Sequence, residues 1–99
     1  MPRVRTLSPQ TVAVLEVLSY RPADWLYGLE IAKLTELKSG SLYPILIRLA
    51  ERGLLKSRWL EPAELGRPPR HAYQILPKGV AALVESSFKQ LTVLKEAQA

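Results

Sequence analysis

Lys38-Ser39-Gly40-Ser41-Leu42-Tyr43-Pro44-Ile45-Leu46-Ile47-Arg48-Leu49 is the stretch on which the reading of this chain turns. Its apolar residues Leu42, Ile45, Leu46 and Leu49 recur at i, i+3, i+4 and i+7, one stripe of an amphipathic helix. The other face carries Ser41, Tyr43, Pro44, Ile47 and Arg48, and a lysine, two serines and a glycine crowd the N-terminal end. A helix entered through small polar residues presents unpaired backbone N–H groups and a partial positive charge, which is a seat for a phosphate. Pro44 restricts where the helix starts. With Ser41 as N-cap it falls at N3, where no intrahelical N–H is needed; with a start at Ser39 one backbone bond is lost. The expected start lies between Ser39 and Ser41. Arg52-Gly53 ends the helix, with Gly53 as the left-handed residue past the C-cap.

Upstream, Ser8-Pro9 reads as a helix start, because Ser8 can cap and Pro9 suits the first helical position. The helix runs to about Ser19 with Val14, Leu15 and Leu18 inward. Arg21-Pro22-Ala23-Asp24 breaks it. Trp25-Leu26 fits a very short strand, and a second helix spans about Tyr27 to Leu34, with Leu29 or Ile31 and Ala32 inward. Thr35-Glu36-Leu37 then leads directly into the quoted stretch. Two short helices, a tight connection and a helix with an exposed polar face have helix-turn-helix spacing.

Downstream, Leu55-Lys56-Ser57-Arg58-Trp59 alternates as a half-exposed strand does. Glu61 to Arg70 is a loop rich in proline and glycine, and His71 to Leu76 is a second strand with Tyr73 and Ile75 on one face. An antiparallel pair is expected, with Trp59 opposite Tyr73. Pro77-Lys78-Gly79 opens a final helix to about Glu96, whose inner stripe of Val80, Leu83, Val84, Ser87, Phe88, Leu91, Leu94 and Lys95 is apolar except at Ser87 and Lys95. At 18–20 residues it would be roughly 27–30 Å long and outrun a small domain. A projecting apolar helix must find a partner, and a second copy of the chain is the economical one. Folding back on its own core is the other reading.

The 99 residues suit one small domain. The chain lacks cysteine, which removes disulfides, zinc fingers and thiol nucleophiles. It contains one histidine, His71, and its carboxylates are scattered, without a glycine-rich phosphate loop, so catalysis is not expected. Neither a cofactor nor a metal is expected. No apolar run approaches a membrane span, and no apolar segment follows Arg3 and Arg5, so a cytoplasmic protein is expected. The net charge of +5 is uneven: residues 1–32 are neutral, residues 33–70 carry +4 and residues 71–99 carry +1. A basic excess centred on the quoted stretch points to a polyanion, or to a solvated basic surface.

The motifs resemble those of the PadR family of bacterial winged-helix transcriptional regulators. The resemblance is carried by Tyr27-Gly28-Leu29-Glu30-Ile31, by Lys38-Ser39-Gly40-Ser41-Leu42-Tyr43-Pro44-Ile45-Leu46, and by Arg48-Leu49-Ala50-Glu51-Arg52-Gly53-Leu54-Leu55. Gly66-Arg67-Pro68-Pro69-Arg70 with Tyr73, and Pro77-Lys78-Gly79, extend it. Two departures stand out: Leu76 replaces the family's usual threonine cap before the last helix, and the C-terminal segment is a single helix, as in compact members. The resemblance implies an α+β, mainly α fold. A winged helix-turn-helix would span residues 7–78 with a two-stranded wing, followed by a dimerisation helix at 79–97. It implies a sequence-specific regulator, a repressor, acting on double-stranded DNA in the bacterial cytoplasm and associated with the nucleoid.

In that reading Lys38, Ser39, Gly40 and Ser41 anchor phosphates where the third helix enters the major groove. Tyr43 reaches a phosphate or base edge, or packs against the turn. Arg48 reads a guanine or binds phosphate, or is a solvated charge. Arg67 enters a minor groove and Arg70 holds the adjacent phosphate, or both belong to a basic loop. Val80, Leu83, Val84, Phe88, Leu91 and Leu94 form a homodimer interface. Trp25, Trp59 and Phe88 are expected in the core, with a small-molecule site as the other possibility; a small-molecule or protein effector is not readable. The rival function is a winged-helix module that binds another protein.

Overall fold

The computed structural model describes residues 7–61 and 65–97, with side chains described as far as residue 89. Arg3, Arg5 and the side chains of Leu91 and Leu94 fall outside the described residues. The elements follow in the order α1 (Pro9–Ser19), β1 (Leu26–Tyr27), α2 (Gly28–Thr35), α3 (Ser39–Glu51), β2 (Leu55–Leu60), β3 (Arg70–Ile75) and α4 (Pro77–Ala97). This is the expected mainly helical winged helix-turn-helix.

Local chemistry sets the boundaries. Ser8 Oγ accepts from the Thr11 N–H at 3.2 Å and Pro9 takes the first helical position, so α1 starts where two orphan donors are removed. The Glu30 carboxylate accepts from the Tyr27 N–H at 3.1 Å, which ties the start of α2 to the end of β1. In the turn to α3, Glu36 takes a left-handed conformation with φ of 60°, and the Thr35 hydroxyl donates to the Ile31 carbonyl at 2.7 Å. α3 begins at Ser39 with Lys38 as N-cap, the earlier of the expected starts. Pro44 therefore lies inside the helix and has no N–H for the Gly40 carbonyl. The proline ring crowds that carbonyl too, and an exposed glycine leaves it room to tilt toward water. At the other end Gly53, with φ of 75°, donates to the Ala50 carbonyl at 3.1 Å, and Leu54 N–H donates to the Leu49 carbonyl at 2.9 Å. These two bonds make a Schellman closure, with Gly53 as the left-handed residue expected past the C-cap.

Val14, Leu15 and Leu18 of α1 meet Ile31 of α2 and Leu42, Ile45, Leu46 and Leu49 of α3 in one core. Of the two candidates in α2, Ile31 is buried and Leu29 is exposed; residues two apart point to different sides of a helix. Leu54, Leu55, Tyr73 and Ile75 close the core from the sheet.

The sheet has three strands in the order β1-β3-β2, both pairings antiparallel. The wing's two strands are thus extended by β1, whose Leu26 opposes Tyr73. Trp59 opposes His71, not Tyr73, and Tyr73 opposes Ser57. The register follows from Leu55 opposite Ile75, both buried, which places the aromatic residues two positions further along than a direct Trp59–Tyr73 pair requires. The expectation that Trp25, Trp59 and Phe88 are core residues is also corrected. Trp25 is half-buried on the outer face of the sheet, under the Arg58 guanidinium at 4.1 Å. Trp59 is 67% and Phe88 71% exposed, because β2 and α4 both continue past the core that the three helices fill.

α4 joins this body at one close approach. The Leu76 N–H donates to the Leu54 carbonyl at 3.0 Å, and the Leu76 carbonyl accepts from Gly79 and Val80 N–H. Leu76 thus starts α4 through its backbone, without the side-chain cap that a threonine would supply. Gly79 is buried, and a Cβ there would run into the Leu54 carbonyl oxygen and stand 2.8 Å from Ile75 Cγ1. Ala82 and Leu83 pack against the core one turn later. Gly79→Ala is expected to destabilise the protein by roughly 1–3 kcal/mol, the usual cost of overpacking, read as a lower urea midpoint at unchanged m.

Candidate nucleic-acid interface

The buried stripe of α3 leaves Ser39, Gly40, Ser41, Tyr43, Pro44, Ile47 and Arg48 exposed. Lys38 is exposed at the N-cap and makes no side-chain cap bond. The entrance to α3 therefore offers backbone N–H groups beside an ammonium group and two hydroxyls, as the sequence implies.

Tyr43 has a defined seat. Its ring lies on Gly28 at the start of α2: a Cβ on Gly28 would stand 2.7 Å from the Tyr43 hydroxyl and 2.9 Å from Cε1. The ring is still 42% exposed, so it packs against the helix pair and faces solvent at once. Glycine at position 28 is what allows α2 to receive an aromatic ring from α3.

Between α3 and the wing lies an open cleft of about 530 Å³, lined by Tyr27, Gly28, Leu29, Tyr43, Ile47, Trp59, Arg70, His71 and Tyr73. Its wing wall is an aromatic ladder. Trp59 and His71 stack with centroids 4.6 Å apart and planes 9° from parallel, and His71 and Tyr73 follow at 4.9 Å. Tyr73 is buried, and desolvation, reinforced by the nearby Tyr43, raises its pKa above 10.0. At neutral pH the Tyr73 hydroxyl is therefore protonated and lies 3.2 Å from His71 Nδ1, to which it donates in the tautomer that carries the imidazole proton on Nε2.

Arg70 begins β3 with its guanidinium 5.4 Å above the Tyr27 ring, at the edge of the same cleft. Arg67 is exposed one residue after Gly66, whose φ of 88° turns the chain at the wing tip. Arg58 and Lys56 cover Trp25 on the opposite face of the sheet, so their charges line the outside of the wing. The structure thus gathers Tyr43, Ile47, Trp59, Arg70 and His71 around one concavity. Sequence reasoning did not assign Ile47, Trp59 or His71 to the site. An apolar residue on the polar face of α3 was the available signal for Ile47; the other two needed the strand register. Among the described residues, no group of three or more His, Cys, Asp or Glu side chains could hold a metal ion. No helix among them is long and apolar enough to cross a membrane.

A helix-turn-helix whose third helix and two-stranded wing frame one cleft, with Arg70 at its edge, defines the winged-helix DNA-binding class. The chain belongs to the Transcriptional regulator PadR-like family, whose sequence profile matches residues 14–85, and it is a DNA-binding regulator of that family. Among solved structures it is similar to a PadR-like transcription factor from Bacteroides fragilis, with 30% identity, TM-score 0.68, and 90% of this chain and 88% of that one covered. It is also similar to a PadR family transcriptional regulator from Eggerthella lenta, at 27% identity and TM-score 0.71 over 86% of this chain and 77% of that one. A PadR-like transcriptional regulator from Bacillus cereus matches at 28% identity and TM-score 0.66, covering 89% of this chain and 86% of that one. No individually curated protein matches the sequence.

Gly28→Ala is expected to leave stability within about 1 kcal/mol of wild type, because an exposed ring can swing aside, while weakening duplex binding. Combined with Tyr43→Ala it should cost nothing further, a non-additivity that a double-mutant cycle of duplex affinities would measure.

Proposed function

We propose that the protein is a homodimeric repressor that binds a pseudo-palindromic operator, with α3 in the major groove and the wing in the adjacent minor groove. The observation that supports this reading is one cleft with the exposed α3 residues Tyr43 and Ile47 on one side and the wing with Arg70 on the other. Lys38, Ser39, Gly40 and Ser41 hold phosphates at the entrance and fix the register. Tyr43 and Arg48 flank the face that meets the bases or the backbone. Arg67, on its glycine-proline turn, enters the minor groove, where a narrow groove concentrates negative potential, and Arg70 holds the neighbouring phosphate.

In this reading residues 7–78 form the DNA-binding unit and residues 79–97 the dimerisation helix. Val80, Val84 and Phe88 are exposed along one side of α4 at four-residue spacing, while Leu83 sits half-buried toward the core. Leu91 and Leu94 extend the apolar pattern in sequence. Pairing of two such helices buries the exposed stripe and sets two recognition helices about one DNA turn, roughly 34–36 Å, apart. The protein acts in the bacterial cytoplasm on the nucleoid, and a small molecule or a protein that alters the helix separation would regulate it.

Titration of a random duplex and of a duplex selected from a random library, across a range of salt, tests the reading. Strong preference for the selected duplex supports it; weak binding that ignores sequence favours a protein-docking module instead. Arg67→Ala is expected to weaken operator binding and to reduce the slope of log K against log salt by about one. An unchanged slope removes Arg67 from the DNA contact. Val84→Asp is expected to sediment as a monomer at concentrations where the wild type is a dimer, with an unchanged circular dichroism spectrum.

A further inference from the structure

We infer that the recognition helix selects thymine through Ile47, by apolar contact with the 5-methyl group in the major groove. This rests on the DNA-binding reading proposed above and names the chemistry by which that site tells one base pair from another.

The rotation of α3 about its own axis is fixed by Leu42, Ile45, Leu46 and Leu49, all buried. At about 3.6 residues per turn, the positions opposite that stripe are Gly40, Pro44, Ile47 and Glu51. All four are exposed. Tyr43 borders this line on one side and leans onto Gly28; Ser41 and Arg48 border it on the other. The line that would enter a groove most deeply therefore holds a residue without a side chain, a ring without a donor, an aliphatic side chain and, in the last turn, a carboxylate. Nothing lies within 4 Å of where a Gly40 Cβ would stand, so the first turn is free to approach a surface closely.

Such a line reads few of the groups that base pairs display. Guanine O6 and N7 call for a donor, and adenine N6 and N7 for an amide; neither residue type is present at its centre. The one apolar group on the floor of the major groove is the thymine methyl. Ile47 is 54% exposed, with Leu29 exposed beside it on the same cleft. Its side chain does little for the folded core and would be covered only by a partner. The polar residues on the flanks are placed for the phosphates that rim the groove, a division between positioning and reading contacts.

The test uses the full chain and a duplex selected from a random library, with each thymine replaced in turn by deoxyuridine. That base keeps every hydrogen-bonding group of thymine and lacks only the methyl. One thymine per half-site is expected to lose about three- to fivefold in affinity on replacement, the worth of one buried methyl group. Ile47→Ala is expected to bind the thymine duplex more weakly and to lose the difference between thymine and deoxyuridine at that position. Ile47 is on the surface, so the variant should melt as the wild type does. If no thymine is sensitive in the wild type, or if the sensitivity persists undiminished in Ile47→Ala, the inference is overturned while selective DNA binding stands. If the wild type binds selected and random duplexes equally, the DNA-binding reading fails and this inference with it.

Discussion

Whatever α3 presents to a partner is dictated by the four side chains it buries. Leu42, Ile45, Leu46 and Leu49 sit against α1 and α2, where Val14, Leu15, Leu18 and Ile31 are fully inaccessible. A helix held by one continuous apolar stripe cannot turn about its axis without bringing polar residues into a closely packed interior. The exposed line through Gly40, Pro44, Ile47 and Glu51 is therefore as rigid as the core behind it. The entrance is equally constrained: the left-handed Glu36 and the Thr35 hydroxyl set the turn that aims α3 away from α2.

The wing and α4 inherit their positions from the end of the same helix. The Schellman closure at Gly53 turns the chain so that Leu54 and Leu55 enter the core at once. The Leu54 carbonyl then does two things: it accepts from Leu76 at the head of α4, and it lies against Gly79. One peptide unit thus joins the end of the recognition helix to the start of the helix proposed to hold the dimer.

The cleft between α3 and the wing combines two kinds of surface. Arg70 stands at its edge, and its walls are aromatic and aliphatic. Stacking of Trp59 on His71, and the contact of Tyr73 with His71 Nδ1, join the two wing strands beyond the point where the core supports them. On the outer face, Arg58 and Lys56 over Trp25 cover the sheet without entering this cleft.

Periodicity and local backbone chemistry together determined α1 and α3: the apolar spacing gives each one inner face, Ser8 and Pro9 mark the start of the first, and Gly53 marks the end of the second. The same locality made the polar, exposed entrance to α3 at Lys38 to Ser41 legible, and the motif resemblance singled out Arg67 and Arg70 in the wing. What spacing could not decide was which residues meet across distance. Either Leu29 or Ile31 fits the inner face of a short helix, and packing against α1 chose Ile31. The aromatic residues of the wing look like core until strand register, set by Leu55 opposite Ile75, carries Trp59 past the end of the hydrophobic interior. The pairing of β1 with β3, the seat of Tyr43 on Gly28 and the contact of Gly79 with Leu54 each join segments far apart in the chain. Only tertiary structure could decide them, because their energies come from shape fitted between separate elements and leave no repeat in the sequence.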